Sequence, residues 1–284
     1  MATATATATA TETAKEQKVF QFYNHGGHYG DSIFALRFFY NTRSFLKQES
    51  IQITYFYDPK FVSNLNELLR YVDPSVVELL PISDPRKNDP INVWMGNDID
   101  GLNHCKDFIE YHCRYYRRIA KLLDLNVPSE YTHFFQPESY LESIYAALPS
   151  KFQSIDVLII NSEPRSNQFR YNKYLVERFC RAVHALPLRV VVTTPIGDGI
   201  PCTWDDGLTI QDIGAISTHA KFVVGILSGP MTACFNTTTL GNVQKLFLLC
   251  NPIYHFPHEK IVLASSVTKL LPLFQAAVGY TLNF

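Results

Sequence analysis

The sequence predicts an α/β protein of two Rossmann-like, doubly wound domains facing a cleft. Three observations carry this. Short apolar runs alternate with helix-length segments whose apolar residues recur at helical spacing. The alternation occurs twice, on either side of an irregular stretch from Pro128 to Pro149. The length, 284 residues, suits two domains of about 130–150 residues each. The expected organisation is an Ala/Thr tail over residues 1–16, a first domain over 17–150 and a second over 151–284, with a terminal helix able to pack back on the first domain.

The first strand is Lys18–Tyr23, KVFQFY. A glycine-rich turn, NHGGHYGD, follows, and then a largely buried helix, SIFALRFFYNTRSFL. Ile51–Tyr57 is a second strand, Phe61–Tyr71 a helix and Val76–Leu80 a third strand. This order is that of a parallel sheet. Pro81–Asn103 reads as a long loop, and loops of that length are uncommon without a task. Lys106–Leu125 is helical. The second alternation runs through strand Asp156–Ile160, helix Asn172–Leu186, strand Leu188–Thr193 and a Gly/Pro/Asp loop to Gly207. Helix Ile210–His219, strand Phe222–Ile226, helix Pro230–Leu240 and strand Lys245–Leu249 follow. Residues 265–278 form a terminal helix broken at Pro272.

Composition narrows the function classes. Hydrophobic residues are 46% and charged residues 18%, a globular balance. The net charge of −1 leaves no basic excess for a nucleic-acid partner. No apolar run reaches the ~18–20 residues of a membrane span. The opening stretch lacks the basic and apolar regions of a secretory signal, and the six cysteines form no CxxC pair, so the expectation is a cytoplasmic chain with reduced thiols. His104-Cys105 and His112-Cys113 are eight apart, about 80° off one helix face, and no metal site is expected. The stripe Arg114, Arg117, Arg118 and Lys121 reads as a solvated face.

Ligands in open α/β sheets lie beyond the carboxyl ends of strands, and three segments fall there. The first is His25-Gly26-Gly27-His28-Tyr29-Gly30-Asp31-Ser32. Its glycines permit close approach of a ligand, and the following helix start favours an anion. Asp31 suits two tasks, capping the helix or acting as a general base toward a hydroxyl. The second segment is Ser228-Gly229-Pro230-Met231-Thr232. Ser228 suits an N-cap and Pro230 the first turn, and the free N–H groups with the Ser228 and Thr232 hydroxyls would also cradle a diphosphate. The third is the loop NSEPRSNQFR with Arg165 and Arg170, followed by Lys173, cations able to neutralise a departing diphosphate.

Together these segments resemble the heptosyltransferase family, glycosyltransferase family 9, among the GT-B glycosyltransferases. The family's G-D-x-(I/V/L) turn after the first strand is matched by Gly30-Asp31-Ser32-Ile33, and its helix–strand–SGPMH–helix block by 213–216, 222–225 and Ser228-Gly229-Pro230-Met231-Thr232. Leu227 stands where the family has Asp, and Thr232 where it has His. The resemblance implies a GT-B-like fold and an inverting, metal-independent transfer from a nucleotide-diphosphate sugar to a glycan or other hydroxyl acceptor. It implies no cofactor beyond that co-substrate. Asp31 would be the catalytic base. Arg165, Arg170, Lys173 and residues 228–232 would hold the donor, and His25, Gly27, His28 and Gly30 would lie on the acceptor side. Two alternatives are a non-catalytic sugar-binding or scaffold module and a polysaccharide pyruvyl transferase.

Overall fold

A computed structural model describes residues 16–24, 29–60, 65–93, 105–164 and 168–284. It contains two parallel sheets. The first comprises β1 (Lys18–Tyr23), β2 (Ile51–Tyr57), β3 (Val77–Pro81) and β4 (Ile91–Asn92), in the order β3-β2-β1-β4. The second comprises β5 (Val157–Ile160), β6 (Val190–Val192), β7 (Phe222–Ile226), β8 (Lys245–Leu249) and β9 (Ile261–Ala264), in the order β6-β5-β7-β8-β9. Every pairing between these strands is parallel.

In the first half, α1 (Tyr29–Asn41) and α2 (Arg43–Gln48) follow β1, and α3 (Leu65–Leu69) follows β2. Helix α4 (Phe108–Leu122) is N-capped by Asp107, whose carboxylate accepts from Glu110 N. Residues 94–104, most of the expected long loop's second part, lie outside the described residues, whereas its first part contributes β4 to the sheet edge.

From Pro128 onward the chain departs from the sequence expectations at four places. The stretch expected to be irregular holds a helix, α5 (Leu141–Ala147). It is followed by α6 (Lys173–His184), N-capped by Asn172, and α7 (Ile210–Ser217), held by a reciprocal capping box of Thr209 and Asp212. The expected helix 230–240 is two pieces, α8 (Gly229–Thr232) and α9 (Thr237–Asn242), because Asn236 turns extended and caps the second by accepting from Thr239 N. Strand β9 has no counterpart in the expectations. The terminal helix α10 (Val267–Val278) runs through Pro272 unbroken and seats Phe274 against Phe179, Phe222 and Phe247 of the second half, not against the first.

The second sheet is buried on both faces, as parallel sheets are. Val157, Ile159, Val224 and Phe247 face a core closed by α6 and α10. Their alternates, Leu158, Ile160, Val223 and Leu246, face a different core. That core is continuous with the first half: Phe34, Phe108 and Phe134 meet Phe235 and Phe256 within it. Phe134 lies 5.0 Å from Phe235 and Phe108 lies 4.8 Å from Phe256, centroid to centroid. A backbone hydrogen bond from Phe108 N to His255 O, 3.0 Å, fixes the loop after β8 to the first half. At another point Gln211 Nε2 donates to Arg70 O, 3.0 Å.

Candidate functional site

Each sheet has one place where successive connections leave in opposite directions, and crevices form at the carboxyl ends of the strands there. In the first sheet this lies between β1 and β4, where the chain leaves β1 toward Gly30 and Asp31. In the second it lies between β5 and β7, and β7 runs directly into Ser228. Gly30, at the start of α1, and Ser228 therefore follow the strands at the two switch points.

These two helix starts also meet. A Cβ built on Gly30 would stand 3.6 Å from Gly229 Cα and 4.0 Å from Thr232 Oγ1. Helices α1 and α8 thus begin side by side, one from each half. His25, Gly27 and His28 and the side chain of Asp31 lie outside the described residues, as does Arg165. Asp31 itself belongs to the first turn of α1.

Ser228 occupies the N-cap position of α8 with extended backbone, φ −154° and ψ 174°, yet its side chain makes no capping bond. The residue is 8% exposed and its Oγ is buried without a hydrogen-bond partner. Buried hydroxyls are nearly always bonded, so an orphan at a helix start asks for an explanation. The first N–H groups of α8 have no acceptor within the helix either. Gly229 and Pro230 are half-buried.

Met231 and Thr232 serve the scaffold. Met231 is fully buried, and a Cβ on Gly225 would collide with its Sδ. Thr232 Oγ1 donates to Ser228 O at 3.3 Å and steadies the turn. Leu227, 4% exposed, puts an apolar side chain into the core just before the turn.

Beside this turn the carboxyl ends of β5 and β6 are joined by a polar nest that the sequence expectations did not include. Asn161 Oδ1 accepts from Thr193 N, 3.1 Å, and Thr194 N, 2.8 Å, and its Nδ2 donates to Thr194 O, 2.9 Å. Ser162 and Thr194, both half-buried, hydrogen-bond through their hydroxyls at 3.3 Å. The signal was available: polar Asn-Ser and Thr-Thr pairs close two otherwise apolar strands. Tyr171 OH donates to Asn161 O, 3.2 Å, and Asn251 N donates to Gln168 O, 2.7 Å. These bonds hold segment 168–172 along the same edge. Arg170 is exposed there, and Lys173 opens α6 with Nζ 3.8 Å from Glu177 Oε1. Among the described residues no three His, Cys, Asp or Glu side chains converge as metal ligands do.

No family model matches the chain, and no curated protein matches it. Solved structures do, and they give the fold class: the chain is GT-B-like, two parallel-sheet halves with their switch points apposed. It is similar to E. coli heptosyltransferase WaaC. The WaaC structure with ADP is 10% identical, with 93% of this chain and 98% of that one covered and a TM-score of 0.55. The structure with ADP-2-deoxy-2-fluoro heptose is 11% identical, with coverages of 89% and 96% and a TM-score of 0.53. E. coli ADP-heptose lps heptosyltransferase II is 12% identical with coverages of 92% and 98%, at a TM-score of 0.47.

Proposed function

We propose that this chain is an inverting, metal-independent glycosyltransferase that moves a sugar from a nucleotide-diphosphate donor to a hydroxyl of a glycan or other acceptor. The observation that carries the reading is the orphan Ser228 hydroxyl, buried at a helix start that abuts the Gly30-Asp31 turn. A diphosphate accepts hydrogen bonds from hydroxyls and helix N–H groups, and the Ser228–Thr232 turn offers both. The WaaC structures of the same fold were solved with ADP and with an ADP-sugar analogue, which supports a nucleotide-sugar donor.

In this reading the Asp31 carboxylate takes the proton of the acceptor hydroxyl. The freed oxygen bonds to the anomeric carbon from the face opposite the nucleotide. The bond from that carbon to the diphosphate oxygen breaks and its electron pair stays on the diphosphate. Gly229, Pro230 and the Ser228 hydroxyl seat the leaving group, while Arg165, Arg170 and Lys173 supply the cations that offset its charge. His25, Gly27, His28 and Gly30 frame the acceptor. A cytoplasmic location goes with this reading: none of the six cysteines is in a disulfide, and five are buried. Among the described residues no helix is long and apolar enough to cross a membrane.

The test is a thermal-shift screen against UDP, GDP, ADP, CMP, dTDP, their sugars and phosphoenolpyruvate. A ligand at 100 times its Kd adds about 2.7 kcal/mol. Stabilisation by one nucleoside diphosphate, turnover of its sugar, loss of at least about 100-fold with Asp31→Asn and indifference to EDTA are the expected results. Stabilisation by phosphoenolpyruvate alone would make the chain a pyruvyl transferase. Stabilisation by none of them would reject the donor site.

A further inference from the structure

Arg37 is the one basic residue of α1, a helix otherwise rich in apolar side chains, and it is 1% exposed. Its guanidinium crosses from the first half into the second. Nη1 donates to Thr232 O at 3.1 Å and Nη2 to Phe235 O at 2.6 Å. Nε lies 2.6 Å from Glu138 Oε1, and Glu138 is 3% exposed. Glu138 Oε1 also accepts from Tyr140 OH at 2.8 Å. The two carbonyls belong to the end of α8 and the turn after it. One planar fork therefore joins the helix that opens with Gly30-Asp31 to the helix that opens with Ser228. A second tie runs alongside: Asn41 Nδ2 donates to Gln136 Oε1, 2.8 Å, and Gln136 O accepts from Thr237 N, 3.2 Å.

Stability alone is a weak reason for such a pair. Two buried charges lose their hydration, and apolar residues of similar volume often hold a core as well or better. What the fork adds is geometry. Two hydrogen bonds in fixed directions, from a guanidinium paired with the Glu138 carboxylate, set both the distance and the rotation of α8 against α1. In the transferase reading the donor is held by residues of the second half. Transfer needs the base turn of one half in register with the leaving-group turn of the other, and an error of about 1 Å can cost about 100-fold.

We propose that Arg37, held by Glu138, is a positioning residue that sets the base turn against the donor turn. The inference rests on the transferase reading above. The double variant Arg37→Met/Glu138→Leu removes the fork and both buried charges together, so the core stays filled and neutral. Expected are a melting temperature below that of the parent chain, because Thr232 O, Phe235 O and Tyr140 OH lose their partners, a nucleoside-diphosphate Kd within threefold, and a kcat at least tenfold lower. An unchanged kcat in the folded double variant would overturn the proposal, because a structural role moves only the melting temperature. Should the double variant not fold, Arg37→Lys keeps the charge pair but cannot reach both carbonyls. The same split between kcat and Kd is expected of it, measured well below its melting temperature. Amide exchange gives a reading that needs no activity. Residues 228–236 should exchange at least tenfold faster in the variant while β5 and β7 keep their protection. Unaltered exchange at 228–236 counts against the fork, whereas a parent chain that binds no nucleotide counts against the transferase reading alone.

Discussion

Ser228 carries a cost in stability. A buried hydroxyl without a partner is destabilising by about 1–3 kcal/mol, and Ser228 Oγ is such an atom. Ser228→Ala should therefore raise the melting temperature while weakening nucleotide binding by about 1 kcal/mol, roughly fivefold. A lower melting temperature would show the hydroxyl to be bonded inside the protein. His112 is a different kind of buried polar group. It lies among Phe34, Phe108 and Phe134, with Nδ1 2.8 Å from Phe108 O, and burial pulls its pKa down to about 3. An unfolded chain takes up that proton near pH 6.5, and the folded one does not. Stability is thus unaffected by His112 above about pH 6.5 and falls as pH drops from there toward about 3, by about 1.4 kcal/mol per pH unit. Denaturant unfolding between pH 6.5 and 5 should be steeper in pH for the parent chain than for His112→Leu. Equal slopes would mean that the histidine charges in place. Arg37 was visible as a charge inside SIFALRFFYN, but its purpose was not, since its carbonyl partners lie 195 and 198 residues away.

At the scale of elements, the strands and turns were legible because they depend on local pattern. KVFQFY, DVLII and FVVGI are short apolar runs, and both glycine turns sit where strand gives way to helix. The departures come from single residues whose effect the surrounding pattern did not settle, and from flanking prolines. Asn236 interrupts an apolar, helix-compatible stretch by capping a new helix, α9. Pro272 does not break α10. Leu141–Ala147 is helical between prolines that suggested a loop. Packing under the donor turn gives a test at this scale. A Cβ on Gly225 would strike Met231 Sδ and stand 3.3 Å from Ile160 Cβ. Overfilling a core costs about 1–3 kcal/mol, so Gly225→Ala should lower the melting temperature by several degrees. Because Met231 belongs to α8, nucleotide affinity should fall with it. A loss of stability with affinity intact would uncouple the turn from its support.

Over the whole molecule, the doubled alternation announced two sheets, but nothing local announced that they share a core. Contacts such as Phe134 with Phe235 join residues about a hundred positions apart, and periodicity does not report them. One consequence is cooperative unfolding. Calorimetry should show a single transition for the intact chain, and a fragment of residues 153–284 should expose Leu158, Ile160, Val223 and Leu246 and aggregate. Two resolved transitions would show the halves to be independent.

The shared core also has a meaning in time. A nascent chain emerges from its N-terminus, at about 5–20 residues per second. Phe34, Phe108 and Phe134 leave the ribosome well before Phe235 and Phe256, their partners from the second half. About 120 residues separate Phe134 from Phe256, an interval of about 6–25 s at those rates. Through that interval an aromatic nest stands open and a guanidinium waits for two carbonyls not yet made. Translation speed across the second half, and the chaperones that shield apolar surface meanwhile, therefore bear on the yield of folded protein more than they would for two self-contained domains.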